Sequence, residues 1–383
     1  MKNITYLFLL IGLSSINSCQ RSNNIDSRFP APINIEVDFK YHSLKLDTII
    51  LNEDGVESSQ LGFSGIHRNQ DYYFVDSRFC WYYVFDFEGN FKARFLGQGG
   101  GPMETTIGRI ATCCILPDTS LFLLGYQLDH YIYDKHFEKK KRFILKGDPF
   151  AGDITTNWRA YTHEYSNLVC RSHKDKVYFN MYSEHPDFNY IEHLDRYLKK
   201  CHHIFEVNIA TGEPGKMYAF GYPPVYHKNS FLYVNFSSIN YGIDNTGNFY
   251  VSYEADSLIY KYDNQFTPIY SFGYSGKNMN MKYIRTDNFE DCQRYYKQER
   301  IDKGYYSWIE YIDETNLLIR SYKKGSHAPD DGLQIYSNKT LVADLSVPKG
   351  FKIAGYVAPY YYSQVIVDEE KELLIVYRFK LDS

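Results

Sequence analysis

Apolar and polar residues alternate along most of the chain in short runs separated by turn-forming residues. The stretch INYGIDNTGNFYVSYEADSLIYKYD, from Ile239 to Asp263, contains three such runs and ends on an aromatic residue followed by Asp. Alternation with a period of two predicts half-buried β-strands, and Asp, Asn and Gly between the runs predict tight turns. The pattern therefore predicts a protein built mainly from short antiparallel strands.

This arrangement of strands recurs six times along the chain. The predicted first hairpin turns of the six units lie near Asn69, Asp118, Lys174, Asn245, Asp313 and Asp368. The turns are about 50 to 70 residues apart, and a four-stranded propeller blade needs about 40 to 50 residues. Loop insertions account for the excess. The sequence predicts an all-β fold, a six-bladed β-propeller that occupies residues 32–383 as one domain.

The last repeat is too short to form a complete blade, because little chain follows Phe379. The strand-like segment INIEVDFKYHSLKLDTIIL, from Ile33 to Leu51, precedes the first repeat. We expect this segment to supply the missing outer strands of the sixth blade. Pairing the two chain ends in one blade closes the ring and removes exposed sheet edges.

Helical periodicity is confined to two insertions. Ile191, Leu194 and Leu198 fall on one helical face within the segment from Tyr190 to Lys200. The segment from Asn288 to Gly304 has the same periodicity. Each predicts a short helix packed on the rim of the ring.

The N-terminus has the layout of a secretory signal. Lys2 precedes an apolar stretch that ends near Ile16, and small polar residues lead to Cys19. Ile16-Asn17-Ser18-Cys19 resembles a bacterial lipobox, which predicts a signal peptide over residues 1–18, lipidation of Cys19 and a polar tether over residues 19–31. An ordinary cleaved signal remains the alternative. We expect an exported protein that contacts the membrane through its lipid anchor, on the periplasmic face of the outer membrane rather than on the cell surface.

Composition narrows the classes of partner. The chain has 42 Lys and Arg against 46 Asp and Glu, a near-balance that gives no electrostatic case for nucleic-acid binding. Six Cys follow Cys19 and have neither CxxC nor metal-like spacing. They are interpreted as buried free thiols, with one disulfide as the alternative. Most of the 39 Tyr are expected to fill strands, and exposed ones would suit sugar or peptide binding.

A Gly-rich loop, RFLGQGGGPMET, runs from Arg94 to Thr105. A phosphate-binding loop is followed directly by a helix, but a strand-like run follows this loop, which excludes the Rossmann motif. No Lys-Ser or Lys-Thr pair is present, which excludes the Walker motif. The loop is expected to cross from the outer strand of blade 1 to the inner strand of blade 2. Gly99 or Gly101 would then supply a positive φ.

Residues of this loop carry a family resemblance. Gly97, Gly99, Gly101, Pro102 and Glu104 match the motif G-x-G-x-G-P-G-E-Y, while Met103 and Thr105 depart from it. With this motif and DSLIYKYD (Asp256 to Asp263), the chain resembles six-bladed propeller lipoproteins of Bacteroidetes, in a Tyr-rich branch of unknown function. The resemblance implies the fold and the lipid anchor, and it implies no catalytic residue.

Candidate binding residues belong to loops expected on the face that carries the blade crossings. These ligand-face candidates are Arg78, Trp81, Gln98, Glu104, Asp129, His130 and Asp256. They predict binding of an envelope protein, a peptide or a glycan by a monomer, with no catalytic residue, no cofactor and no metal assigned.

The rival hypothesis is a metal-dependent hydrolase or lyase that acts on a glycan or lactone at the mouth of the channel. Its ligands would be the carboxylates that follow second strands, at Asp76, Asp129, Asp256 and Asp331. Turn formation explains the same recurrence of Asp. Both interpretations remain open from the sequence.

Overall fold

The computed structural model describes residues 27–52, 58–68, 70–144, 152–164, 167–219, 221–228, 234–284, 286 and 288–381. The signal peptide, Cys19 and the first part of the predicted tether lie outside these residues. The described strands form six antiparallel sheets arranged as the blades of a propeller. The prediction of a six-bladed all-β propeller is confirmed.

The first three blades occupy the N-terminal half of the ring. Blade 1 consists of β2 (Gly62–His67), β3 (Asp71–Asp76), β4 (Trp81–Phe85) and β5 (Phe91–Leu96). Blade 2 consists of β6 (Ile110–Ile115), β7 (Leu121–Gly125), β8 (Asp129–Tyr133) and β9 (Lys139–Ile144). Blade 3 consists of β10 (Tyr161–His163), β11 (Cys170–His173), β12 (Lys176–His185), β13 (Phe188–Asn189), β14 (His202–Asn208) and β15 (Pro214–Ala219).

The remaining blades complete the ring. Blade 4 consists of β16 (Ile239–Ile243), β17 (Phe249–Tyr253), β18 (Ile259–Tyr262) and β19 (Pro268–Phe272). Blade 5 consists of β20 (Tyr305–Ile312), β21 (Leu317–Lys323), β22 (Asp331–Ser337) and β23 (Thr340–Val347). Blade 6 consists of β24 (Ile353–Val357), β25 (Tyr360–Ser363), β26 (Ile366–Asp368), β27 (Leu373–Phe379) and the N-terminal β1 (Asp47–Leu51).

The Asp that ends the third strand of several repeats forms the next turn. Asp134 Oδ1 accepts the backbone N–H groups of His136 and Glu138 at 2.8 and 3.0 Å. Asp263 Oδ1 accepts those of Gln265 and Thr267 in the same way. An Asp carboxylate that binds backbone groups two and four residues ahead replaces ladder bonds and reverses the chain. The aromatic-Asp pattern is thus the outer hairpin signal of blades 1, 2 and 4, where Asp86 makes the corresponding contacts in blade 1.

Blade 6 closes the ring as a composite of both chain ends. β1 pairs antiparallel with β27, with Asp47 opposite Arg378 and Ile49 opposite Val376. The prediction that the N-terminal segment completes the last blade is confirmed, but only β1 enters the blade.

The first hairpin of blade 6 turns at residues 358–359, between β24 and β25, and not near Asp368 as predicted. Asp368 ends β26 and belongs to the second hairpin. The true first turn contains Ala358-Pro359 without Asp, Asn or Gly, so it carries no turn signal of the kind that marks the other blades.

The chain before β1 runs as a strap along the outside of two other blades. Ile33 N donates to Ser271 O of blade 4 at 2.9 Å, and Lys40 N donates to Val342 O of blade 5 at 2.9 Å. Parallel bridges join Pro32 to Ser271 and Val37 to Leu341. These contacts cover part of the outer edges of blades 4 and 5, where free backbone groups would otherwise be exposed.

Three α-helices lie among the described residues: α1 (Leu194–Lys200), α2 (Pro224–Lys228) and α3 (Phe289–Asp302). The two predicted helical insertions correspond to α1 and α3, and α1 begins four residues later than predicted. Asn288 caps α3 by accepting the N–H of Asp291 at 2.9 Å, which explains why the helix starts there. None of the helices in the described part of the chain has the length and apolar character needed to cross a membrane.

Tyrosine is the principal filling of the core. The largest fully buried side chains are Arg320 and eleven tyrosines, among them Tyr72, Tyr131 and Tyr253. Six cysteines are buried as free thiols. Most tyrosines therefore serve packing between strands, as the strand-filling interpretation predicts.

Candidate functional site

The Gly-rich loop joins β5 to β6, so its role as a blade crossing is confirmed. A positive φ occurs at Leu96 and Gly97, and not at Gly99 or Gly101 as expected. A Cβ at Gly99 would lie 2.0 Å from Glu104 Oε2, so a larger residue there would displace the Glu104 carboxylate. That carboxylate accepts the Gly101 N–H at 2.8 Å, and so takes a backbone donor that an anion would use.

Two of the seven ligand-face candidates meet in blade 1. Gln98 Nε2 donates to Arg78 O and to Gly108 O, each at 3.1 Å. Gln98 thus ties the crossing loop to its neighbours, while the Arg78 side chain is exposed. Trp81 lies beneath Gly97 and carries the Arg94 guanidinium 3.9 Å from its ring centroid, so its outer face is occupied.

His130 is a core residue and does not lie on the face. It is 1% exposed and packs between Phe122 and Phe143, with ring centroids 5.5 and 5.0 Å away. Neither ring nitrogen makes a hydrogen bond of normal geometry. Burial lowers the pKa of His130 to about 4, because an apolar environment disfavours the imidazolium.

The carboxylates that follow second strands act chiefly in their own loops. Asp76 accepts the N–H groups of Arg78 and Phe79 at 2.8 Å, and Asp256 accepts from Leu258 N at 3.0 Å and Tyr260 OH at 2.8 Å. Asp331 accepts from Gly350 N at 2.7 Å. Burial raises the pKa values of Asp129 and Asp256. The backbone contacts of Asp76 and Asp256 with residues two or three positions ahead are those of turn formation, whereas Asp331 binds the loop before β24.

A central channel of about 630 Å³ runs between the inner strands of all six blades. Its wall comes from β2, β6, β11, β16, β20 and β24. Each inner strand starts at the face where blades cross, here called the crossing face, and ends at the face of the first hairpins, the hairpin face. None of the seven ligand-face candidates, all of them in the described residues, lines this channel.

Two cations share one indole ring inside the channel. The guanidinium carbon of Arg171 lies 4.8 Å, and Lys352 Nζ 5.1 Å, from the ring of Trp308. Lys352 Nζ donates to Asn167 Oδ1 at 3.2 Å. Burial, followed by the charge of Lys323, lowers the pKa of Lys352 to about 8. The aromatic face partly offsets the cost of burying both charges.

Glu310 is the carboxylate that pairs with this cluster. Its Oε2 lies 2.5 Å from Arg171 Nη2, and both side chains are less than one-fifth exposed. Burial raises the pKa of Glu310 to about 7, although the Arg171 charge opposes the shift. The indole N–H of Trp308 lies close enough to Glu310 to lower the pKa of that carboxyl slightly. Neither this N–H nor Arg171 Nε makes a hydrogen bond of normal geometry.

Charge is segregated along the channel. Arg109, Asn167 and Lys352 directly precede or lie near the starts of inner strands, at the crossing end, whereas Asp313 and Glu314 follow β20 at the hairpin end. Apolar side chains such as Ile110 and Ile243 form the wall between. The channel therefore offers an anion a basic, partly apolar entrance from the crossing face.

Sequence reasoning missed this cluster. Asn167, Arg171, Trp308, Glu310 and Lys352 lie on three different blades and share no motif. The sequence offers one indication of the cluster: charged residues occupy positions in inner strands where the pattern predicts apolar side chains.

The rival metal hypothesis needs converging ligands. In the portion of the chain that the structure describes, no three His, Cys, Asp or Glu side chains are grouped so that they could hold a metal ion.

Comparison with known proteins identifies relatives by structure alone. The sequence matches no model of a known protein family and no curated protein. A member of the DUF4221 family from Bacteroides vulgatus superposes with a TM-score of 0.65 at 10% identity, over 89% of this chain and 98% of that one.

A second solved structure, described as a "putative exported protein" of Bacteroides fragilis, gives a TM-score of 0.52 at 12% identity, over 92% of this chain and 99% of that one. The chain is therefore similar in fold to six-bladed propellers from Bacteroides. At these identities the likeness extends to the fold alone.

Proposed function

We propose that the protein is a ligand-binding propeller whose site is the crossing end of the central channel, and that its ligand is a small organic anion with an apolar body. One observation carries the proposal: two partly buried cations, Arg171 and Lys352, contact the same indole ring, and Glu310 pairs with Arg171 whereas Lys352 has no ion-pair partner among the described residues. A buried excess of positive charge is costly unless an anion is bound.

The shape and lining of the cavity support this ligand class. A volume of about 630 Å³ falls within the range of about 300–1,000 Å³ typical of small-molecule sites. Lys352 Nζ, Arg171 Nε and the Trp308 N–H supply donors for a carboxylate, and the apolar wall would pack against the rest of the ligand. Convergent donors with perturbed pKa values in a cleft are typical of functional sites.

The test compares three probes of one shape: 2-naphthoate, 2-naphthylmethanol and 2-naphthylmethylammonium. Calorimetry should detect the carboxylate and give at least tenfold weaker binding for the alcohol and the ammonium. Lys352→Met should weaken naphthoate binding at least tenfold. Lys349→Met is the matched control, because Lys349 is exposed three residues away and does not line the channel. Equal binding of all three probes would refute the anion assignment.

A second candidate function is proton-transfer catalysis in the same channel. The observation that favours it is the pair of pKa values near neutrality, about 7 for Glu310 and about 8 for Lys352, since general acids and bases work best near the ambient pH. This is a metal-independent form of the hydrolase or lyase alternative. Turnover that is lost in Glu310→Gln while ligand binding persists would favour the enzyme over the binder.

The cellular setting of this proposal is the envelope. The leader and the lipobox ending at Cys19, together with the structural likeness to a "putative exported protein", support export. We propose a lipid-anchored monomer on the periplasmic face of the outer membrane, open to a peptide, glycan or protein partner at its crossing face.

A further inference from the structure

We infer that a second site, separate from the Arg171–Lys352 cluster of the channel, binds an acidic saccharide in a groove between blades 4 and 5 on the hairpin face. Tyr311 and Asp313 line both the groove and the channel. The groove measures about 530 Å³. Its lining combines tyrosines, side-chain amides, two lysines and the carboxylates of Asp244 and Asp313, whereas its floor includes buried Phe272 and Tyr336. Asp313 accepts the Asn245 N–H at 2.9 Å. All of the residues that line this groove lie in the described part of the chain.

A row of side chains across blade 4 forms one wall of the groove. Tyr250, Lys261 and Tyr270 stand directly opposite one another on β17, β18 and β19. Cross-strand neighbours of this kind project from the same face of a sheet. Tyr311 of blade 5 stacks on Tyr250, with ring centroids 5.0 Å apart and planes 10° from parallel.

A lysine is unusual at the largely buried middle position of this row, which Lys261 occupies. Its side chain is only 16% exposed, a position where an apolar residue would avoid the desolvation of a charge. Nζ donates to Tyr250 OH at 2.8 Å and lies 4.0 Å from Asp244 Oδ2. An ammonium has three donors, so Lys261 has capacity for a further acceptor.

The carboxylate of Asp244, near Lys261, makes most of its hydrogen bonds within its own turn. Asp244 accepts the N–H and hydroxyl of Thr246 at 3.0 and 2.6 Å, and the N–H and amide of Asn248 at 2.9 Å each. These donors neutralise part of the Asp244 charge, which weakens its attraction for Lys261.

A second ammonium group lies against the same aromatic ring. Lys339 Nζ is 4.5 Å, and Lys261 Nζ 5.8 Å, from the centroid of Tyr270. The charge of Lys339 contributes to lowering the pKa of Lys261, after the larger effect of burial. The two ammonium groups repel each other, and an anionic group bound beside them would relieve that repulsion.

The remaining lining matches a sugar. Side chains of Asn245, Asn316 and Asn338 line the groove, and an amide can both donate to and accept from hydroxyl groups. Tyr270 and Tyr311 are partly exposed, and the apolar surface that their rings leave open, with a polar tip on each, suits the C–H face of a pyranose. A carboxylated or sulfated sugar unit would add the anion that the two lysines require.

The experiment uses the mature protein with three hexasaccharides: a galacturonic acid hexamer, a chondroitin sulfate hexamer and neutral maltohexaose. Calorimetry at low salt should detect at least one acidic hexamer, and maltohexaose should bind at least tenfold more weakly. Which acidic hexamer binds tells whether the anion is a carboxylate or a sulfate. Affinity should fall as salt is added, because Lys339 is exposed to screening.

Variants locate the site. Lys339→Gln should weaken acidic-hexamer binding at least fivefold, and Lys261→Met at least tenfold. Lys339 is exposed, so its variant reports on the groove even where Lys261→Met fails to fold. Lys216→Gln, an exposed lysine on blade 3, is the matched control and should bind like the wild type.

The channel variant Lys352→Met should also bind the hexamer normally, which separates this site from the proposed channel function. Absence of binding by both acidic hexamers would overturn the inference, as would equal affinity for maltohexaose or an unchanged affinity in both groove variants.

Discussion

Glu310→Gln tests whether the channel holds a carboxyl group near neutral pKa. The pKa of Glu310 is raised from 4.5 to about 7, mainly by burial. The folded state therefore holds this proton more tightly than the unfolded state does. The stability that the proton contributes is fully present below pH 4.5 and is lost as the pH rises through about 7.

The magnitude follows from the two pKa values. Each tenfold difference in proton affinity corresponds to about 1.4 kcal/mol. Between pH 5 and pH 8, the wild type should lose about 2–3 kcal/mol of unfolding free energy relative to Glu310→Gln, which has no proton to release. The side chain is only 16% exposed, so solvent screening reduces this figure little.

Urea denaturation of both proteins at pH 5, 6, 7 and 8 measures the effect. The quantity of interest is the difference in unfolding free energy between variant and wild type at each pH, since other titrating groups cancel in that difference. Glu314→Gln, an exposed carboxylate at the hairpin end of the same channel, is the matched control. A difference for Glu310→Gln that stays constant within about 0.5 kcal/mol would refute the burial argument.

Three further predictions concern other parts of the molecule. Arg320→Met should cost about 1–3 kcal/mol in urea denaturation, because Ser257 O loses the donor that now lies at 2.9 Å and an unpaired acceptor costs about that much. Tyr274 O keeps donors from Tyr306 and Gln334. A loss below about 0.5 kcal/mol would contradict this. Gly97→Val should lower the free energy of unfolding by about 1–3 kcal/mol, because Gly97 has a φ of 108° and a Cβ there would lie 2.5 Å from the Trp81 ring. Gly100→Val is the control: a Cβ at Gly100 would have no atom within 4 Å, so this variant should melt like the wild type. Cys19→Ala should move the protein from the membrane fraction to the soluble fraction on immunoblots, and persistence in the membrane fraction would argue against a lipid anchor.

The fold was largely predictable because its signals are local. Asp134 and Asp263 reverse the chain through bonds to their immediate neighbours, so their positions in the sequence mark the outer hairpins directly. Asn288 marks the start of α3 by the same kind of local bond. The hairpin at residues 358–359 was missed because it has no such residue, and the strap was misjudged because its strand-like pattern reflects packing against blades 4 and 5.

The channel cluster could not be predicted, because it exists only once the ring has closed. Arg171 and Glu310 are far apart in sequence, belong to blades 3 and 5, and meet inside the channel. Nothing near either residue indicates its partner. Conversely, His130 was favoured for its chemistry, although its position in β8 opposite Phe143 buries it between aromatic rings. The imidazole of His130 suggested a binding residue, but its burial excludes it from the ligand face.

The pairing of β1 with β27 also sets the order in which the molecule can fold. Asp47 and Arg378 are some 330 residues apart, and contacts of such long sequence separation form slowly. A chain that emerges N-terminus first must keep β1 unpaired until the C-terminal strand has been made. During synthesis the ring therefore cannot close before β27 has been made, and a chain truncated before Leu373 would leave β1 without its partner. Resistance to proteolysis should consequently appear only in full-length molecules.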